Sequence, residues 1–366
     1  KENIRQHSEG EKMPHHPLIE KLNRLSAPAE LYEQLPDQAV RCHACAHHCL
    51  IKPGKRGICY MRYNQDGVLM APFGYVAGVQ PDPIEKKPFY HFLPGSRTLT
   101  FGMLGCNFHC SFCQNWHTSQ TLRDSSADLA ANYIEEIQPK QLVDYAARYG
   151  VKVIVSSYNE PLITSEWAVS TFKLAKEQGM KTVYVSNGYA NRQVLEYLRP
   201  WLDGYKIDLK AMRDETYRQF GGRLQPVLDS IAMAREMGFW VEVVTLVIPG
   251  MNDSPDDLWS SARFLRSVSG DIPCHVTAYH PDYKLSCPER TTPHTLQQAA
   301  EIAQEAGLRY VYAGNLPGRV GSLENTYCPN CQKALIVREG FFVAENHVTP
   351  DGACPQCGTA IAGVWR

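Results

Sequence analysis

The chain has 366 residues, with 37 basic and 38 acidic side chains, a formal net charge of −1 and 13 cysteines. That length builds one large domain or two with a substantial core. The balanced charge excludes a broad basic field for bulk nucleic acid or anionic membrane, and no apolar run approaches a bilayer span.

The opening stretch KENIRQHSEGEKMPHHP lacks the apolar centre of a signal peptide. Residues 1–40 are expected to form a flexible leader, and the protein is expected to be cytoplasmic. In a reducing compartment the cysteines should not pair as disulfides. They fall into groups of four, three and four, which points to metal sites. Cys274 opens a strand and Cys287 lies in a loop, and neither needs a special role.

A cysteine-rich module is expected over residues 41–95. Cys42, Cys45, Cys49 and Cys59 lie within 18 residues and suit one metal site. Structural zinc is the first reading, an auxiliary iron–sulfur cluster the second and unligated thiols the third. His43, His47 and His48 are then surplus. Lys52 to Gly57 reads as a solvated basic turn. Asp82 to Pro88 reads as a linker, or as a segment bringing Glu85 with Lys86 or Lys87 over a barrel mouth.

Residues 96–318 alternate strand and helix. Strands are predicted at Thr98–Leu104, Lys152–Tyr158, Lys181–Ser186, Gly204–Leu209, Phe239–Ile248 and His275–His280, with Tyr310–Ala313 as a seventh. Ala168, Phe172 and Ala175 recur at helical spacing before Gly179. Ser254-Pro255-Asp256-Asp257 and Thr292-Pro293 read as helix starts, each with a hydroxyl cap and a first-turn proline. Such alternation gives parallel β-structure with right-handed crossovers. The expected fold is α/β, a partial barrel of six or seven units; a doubly wound open sheet is the alternative.

Polar residues recur after successive strands: a cysteine loop, Glu160, Asn187, Asp208 with Lys210, then His280. Sites in α/β barrels gather at the carboxyl ends of strands. Ordinary turn chemistry explains Gly188, Pro249 and Asn252 well enough. It explains Glu160 and the Asp208/Lys210 pair poorly, because charge at the end of a buried strand must be paired or used.

Cys106, Cys110 and Cys113 form C-x3-C-x2-C directly after the first of these strands. Three thiolates on one loop can hold three irons of a cubane and leave the fourth open to a substrate. Phe108, Phe112 and Trp116 would shield such a cluster or simply pack in the core. At the other end, Cys328-Pro-Asn-Cys331 and Cys354-Pro-Gln-Cys357 form two knuckles, a zinc-ribbon signal over 319–366 that rubredoxin-like iron also fits. Lys333, Arg338 and Arg366 are too sparse for a phosphate-binding face, so the ribbon reads as a structural cap.

The cysteine motif, the Glu160 loop, the run Lys206-Ile207-Asp208-Leu209-Lys210 and the turn Ile248-Pro249-Gly250 resemble radical SAM enzymes. Within them the chain is similar to pyruvate formate-lyase-activating enzymes, and above all to the radical SAM component of the AmmeMemoRadiSam system. The resemblance implies a [4Fe–4S] cluster on Cys106, Cys110 and Cys113. It also implies S-adenosylmethionine (SAM), cleaved reductively to a 5′-deoxyadenosyl radical that abstracts hydrogen from a substrate. By position, Glu160 would bind the methionyl ammonium, and Asp208 with Lys210 the methionyl end. Asn187 would reach the ribose and His280 the nucleoside side. Where activases often carry an arginine on the fifth strand, this chain has Thr245 or an apolar neighbour.

The resemblance further implies a flavodoxin- or ferredoxin-type reductant, with Memo-like and AMMECR-like proteins as partners. The substrate stays open between a small molecule, a peptide and RNA. A glycyl-radical activase acting on a partner protein is one alternative. A non-catalytic metal protein serving interaction or electron transfer is another.

Overall fold

The structure is a computed structural model describing residues 17–366. Its centre is an eight-stranded sheet: β1 (Gly78–Pro83), β2 (Arg97–Gly102), β3 (Val153–Ser156), β4 (Lys181–Ser186), β5 (Gly204–Asp208), β6 (Trp240–Val247), β7 (Cys274–Ala278) and β8 (Val311–Gly314). Strands β2 to β8 are parallel and lie side by side in chain order. A doubly wound sheet would reverse its order at a switch point. Sequential order instead winds the sheet one way around a lumen, giving the expected partial barrel.

All seven predicted parallel strands are present, each within a few residues of its expected ends. Helices α1 (Ser165–Glu177), α2 (Pro255–Val268) and α3 (Pro293–Glu305) start and stop where the pattern indicates. The Ser254 hydroxyl accepts from the Asp257 N–H at 3.2 Å, and Thr292 from the Thr295 N–H at 3.1 Å. The edge strand β1 is not anticipated. The linker reading of Asp82 to Pro88 overlaps its last two residues, and its prolines speak against a central strand, but an edge strand pairs on one side only and so tolerates proline. It runs antiparallel to β2, from Gly78 opposite Gly102 to Pro83 opposite Arg97.

Side chains alternate along each strand, so one set faces the helices and the other the lumen. Val153, Val155, Val183 and Trp240 point inward and meet Phe89 and Phe92, from the segment after β1, in one apolar cluster. This cluster plugs the amino end of the barrel. Above it polar and charged side chains join the inward positions, among them Glu160, Lys206 and Asp208.

The expected leader over 1–40 needs correction. Residues 1–16 lie outside the described residues, but from Pro17 the chain is folded. A helix, Pro17–Arg24, leads into strands Ser26–Pro28 and Tyr32–Gln34, which pair with Val68–Pro72 and Val40–Cys42. Leu18, Leu22, Leu25 and Leu31 enter the same core cluster as the barrel residues Ile154, Phe172 and Ile207. The module is fastened by a fully buried ion pair. Arg62 Nη2 and Nη1 donate to the Glu166 carboxylate of α1 at 2.6 and 2.8 Å, and Glu166 also accepts from the Glu30 N–H at 3.2 Å. Glu85 does not reach the mouth: it is buried, accepting from the Gly95 N–H at 2.9 Å.

The C-terminal segment is a three-stranded antiparallel ribbon of β9 (Thr326–Tyr327), β10 (Ala334–Glu339) and β11 (Phe342–Asn346). Arg338 is not a surface residue. It is buried, donates to Tyr90 O at 2.8 Å and Thr326 Oγ1 at 2.9 Å, and lies 4.1 Å over the Tyr90 ring. The ribbon is thereby pinned to the segment that plugs the barrel.

Candidate active site

A cavity of about 420 Å³ opens above the plug, at the carboxyl ends of the strands. Cys106, Cys110, Cys113, Glu160, Asn187, Asp208 and Lys210 all line it. Residues scattered over more than a hundred positions of sequence therefore meet in one chamber, as the strand-end pattern predicts.

Gly105 turns the chain from β2 into the cysteine loop at φ +91°, and a Cβ there would fall 2.3 Å from Met61 Cγ. Glycine is required on both counts. The loop is then held along its length. The Glu160 N–H donates to Gly105 O at 3.1 Å, the His109 N–H to Phe220 O at 2.9 Å, and the Lys284 N–H to Ser111 O at 2.9 Å. The sulfurs have donors nearby: the Phe108 N–H at 3.3 Å and Asn187 Nδ2 at 3.8 Å from Cys106 Sγ, and Ser119 Oγ 3.2 Å from Cys113 Sγ. Burial pushes the Cys110 thiol up to about 12, against the opposing pull of Lys210, and raises Cys106 and Cys113 as well. Thiols this hard to ionise are neutral unless a metal takes the place of their protons. Three such thiols on a rigid loop beside a cavity fit an iron–sulfur cluster with one open corner. Phe108 and Phe112 line the same chamber, whereas Trp116 lies outside it and stacks on Tyr283 with centroids 5.1 Å apart.

Glu160 is buried, and both its oxygens are held. Ser186 Oγ donates at 2.7 Å and the Leu162 N–H at 3.0 Å to Oε1, and the Asn187 N–H at 2.8 Å to Oε2. Burial outweighs these bonds and raises its carboxyl to about 7. Asp208 is the opposite case. Burial alone would raise it, but Lys206 and Lys210 flank it and hold it down at about 2, with Lys210 Nζ 3.1 Å from Oδ2. Two carboxyls in one chamber thus have opposed proton affinities.

Asn187 is committed to the cysteine loop. Its Nδ2 donates to Asn107 Oδ1 at 2.7 Å, and its Oδ1 accepts from the Tyr189 N–H at 3.0 Å. His280 does not line the chamber. It is exposed at the rim, 3.0 Å from Gln114 Nε2, and Gln114 does line it. On β6 the inward positions are Val244 and Leu246, both apolar, while Thr245 faces away and donates to Leu209 O at 3.0 Å.

The structure adds Lys206, Lys87, Tyr158 and Phe341 to the wall. Lys206 was legible: it stands two residues before Asp208 on one strand and must share its face. Lys87 was anticipated in part, since one reading of Asp82 to Pro88 carried Lys86 or Lys87 over the barrel mouth and both line the chamber, whereas Tyr158 was not. Tyr158 adopts φ +71°, which turns its ring into the lumen over Gly102. There Lys87 Nζ and the Tyr158 hydroxyl both donate to Asp82 Oδ2, at 2.7 and 3.0 Å.

At the far end, Cys328, Cys331, Cys354 and Cys357 place their sulfurs within 4.8 Å of one another, the spacing of a single-ion site. Among the described residues no other Cys/His/Asp/Glu group is drawn together in this way. Cys42, Cys45, Cys49 and Cys59 are neighbours, but not at that spacing.

A barrel open along one side, with a three-cysteine loop after its first parallel strand, defines an enzyme of the reductive SAM-cleaving type. The chain belongs to the radical SAM superfamily, whose family model matches residues 101–265. It is 40% identical over 337 residues to an uncharacterized protein of Methanocaldococcus jannaschii, covering 91% of this chain and 98% of the relative. It is 28% identical to a pyruvate formate-lyase-activating enzyme of Clostridium pasteurianum, over 51% of this chain and 76% of that enzyme. A solved radical SAM methyltransferase from Sphaerobacter thermophilus overlays with a TM-score of 0.47 at 15% identity, over 82% of this chain and 80% of that one. When bound, the cluster supplies the electron that splits SAM into methionine and a 5′-deoxyadenosyl radical. No helix among the described residues is long and apolar enough to cross a membrane.

Proposed function

We propose that Cys106, Cys110 and Cys113 hold the catalytic cluster and that Glu160, Asp208 and Lys210 bind the methionyl end of SAM. The observation that carries this is the convergence of those three thiols and three charged groups on one chamber. A zwitterionic amino acid needs an acid and a base at fixed separation. Glu160 is the acid suited to an ammonium, since an incoming cation relieves the burial that raises its carboxyl. Lys210 or Lys206 serves the carboxylate, with Asp208 fixing both lysines in place. Lys206 then takes over the task of the absent arginine on β6. Asn187 acts by steadying Asn107 and Cys106, and its reach to a ribose is secondary. His280 serves the nucleoside side only by way of Gln114.

A pH dependence follows. With its carboxyl at about 7, Glu160 is mostly protonated at pH 6 in the empty protein and must lose that proton to accept an ammonium. SAM affinity should therefore fall by about tenfold from pH 8 to pH 6, at most one decade per unit for a single proton. Calorimetry on the reconstituted protein measures it. Glu160→Gln should bind weakly at both pH values and lose the slope; an unchanged slope would remove Glu160 from the contact.

We further propose zinc in the C-terminal quartet. Cobalt substituted there should give intense thiolate-to-metal bands, and a tail spectrum without them would remove the site. The working location is the cytoplasm, with a flavodoxin- or ferredoxin-type donor. The substrate reading stays between abstraction from a partner protein, as the similarity to activating enzymes favours, and action on a small molecule, peptide or RNA. Membership of an AmmeMemoRadiSam system, with Memo-like and AMMECR-like partners, is tested by co-purification with those proteins. Incubation with candidate substrates carrying deuterium, followed by mass analysis of the 5′-deoxyadenosine, reports the abstraction directly.

A further inference from the structure

The N-terminal cysteines lie against the back of the catalytic loop. The Ala46 N–H donates to Tyr189 O at 2.9 Å, Asn191 Nδ2 to Cys45 O at 3.0 Å, and His47 Nε2 sits 3.2 Å from Asn107 O. Asn107 is fully buried between the two cysteine groups. Its Oδ1 lies 3.7 Å from Cys106 Sγ, while its Nδ2 has no hydrogen-bond partner and the amide faces the Cys45 thiol. On the other side of the quartet stands buried Arg62, whose charge acts on Cys42 and Cys59 and whose Nε is also unpartnered. Two orphaned buried donors therefore flank one set of four sulfurs. Buried donors of this kind call for an acceptor. Sulfur ligands carrying the negative charge of a metal centre would provide it. The quartet is not at single-ion spacing, unlike the C-terminal one. A cubane holds its ligand sulfurs farther apart than one zinc ion does, so the wider arrangement suits a cluster.

We propose that Cys42, Cys45, Cys49 and Cys59 hold a second iron–sulfur cluster that passes single electrons across the Asn107 junction to the site of Cys106, Cys110 and Cys113. The inference rests on the barrel site being the SAM-cleaving one. Each transfer moves one electron, with no bond made and no proton moved: the external carrier is oxidised, the outer cluster is reduced and then reoxidised by the inner one. The outer face suits docking by an acidic one-electron carrier. Leu50 and Ile58 are exposed beside Cys49 and Cys59, with the exposed Lys52 and Lys55 close in sequence.

The test is anaerobic reconstitution of the full chain with iron and sulfide. The unaltered protein should hold about eight irons, and a Cys106→Ala/Cys110→Ala/Cys113→Ala variant about four, with the electron paramagnetic resonance signal of a reduced cluster. Adding Cys49→Ala, at the half-exposed position, should remove that signal. In the Cys49→Ala single variant, SAM cleavage driven by reduced flavodoxin should be lost relative to cleavage driven by dithionite. Zinc in the quartet, or about four irons in an unaltered protein that still cleaves SAM, overturns the second cluster and leaves the barrel site standing. Eight irons without SAM cleavage would instead overturn the barrel reading. An unchanged ratio of flavodoxin-driven to dithionite-driven cleavage overturns the relay.

Discussion

Cys110→Ala is expected to reduce 5′-deoxyadenosine release to background. Cys110 is the most enclosed of the three thiols, packed in the core beneath the chamber with Lys210 near its sulfur. Alanine keeps the packing nearly intact, because the loop is held by backbone bonds at Gly105, His109 and Ser111 rather than by the sulfur. The fold should survive while one of the three proposed cluster ligands disappears. Two thiolates cannot hold a cubane open at a single corner. Iron bound at this loop and SAM cleavage should therefore fall together, with the circular dichroism spectrum unaltered. A variant that releases 5′-deoxyadenosine as fast as its parent would end the enzymatic reading of this loop.

Arg338→Ala should have the largest effect on stability. The guanidinium is buried, with two backbone carbonyls and Thr326 as acceptors and the Glu85 carboxylate 3.7 Å away. Removing it leaves Glu85 buried beside Glu242 without its cation. Breaking a buried pair from one side costs about 3–5 kcal/mol. The expected readout is a lowered unfolding midpoint and early proteolysis at the ribbon, because Arg338 supplies the hydrogen bond from β10 to Tyr90 beside the apolar contacts of Leu335 and Ile336. Arg338→Met is the control for volume. If both variants unfold with the parent, the ribbon is held by something other than this residue.

The barrel could be read from the chain because each parallel strand is a short apolar run between helix signals, and because a period of two carries Lys206, Asp208 and Lys210 to one face. The cysteine loop and Glu160 were legible for a related reason: charge and thiols at strand ends have few structural uses. Other features were not legible. The prolines of Pro81 and Pro83 hid an edge strand, since nothing local distinguishes a one-sided strand from a linker. Tyr158 reaches the lumen through a left-handed backbone that tyrosine seldom adopts. Arg338 looked like a surface charge, and its partners Glu85 and Tyr90 lie some 250 positions earlier in sequence, beyond any local pattern. His280 failed as a chamber residue because β7 ends at Ala278 and the chain leaves the rim there.

The hairpin tip between β10 and β11 carries Phe341, which is half-exposed and also forms part of the chamber wall. Its two strands are anchored at one end by Arg338 and at the other by the four-sulfur knot. An ion held by those sulfurs would thus steady, from a distance, a piece of the chamber wall. If the four cysteines hold an ion as proposed, stripping it should loosen this part of the wall and let bulk water reach the lumen, where a radical would be quenched before it met its target.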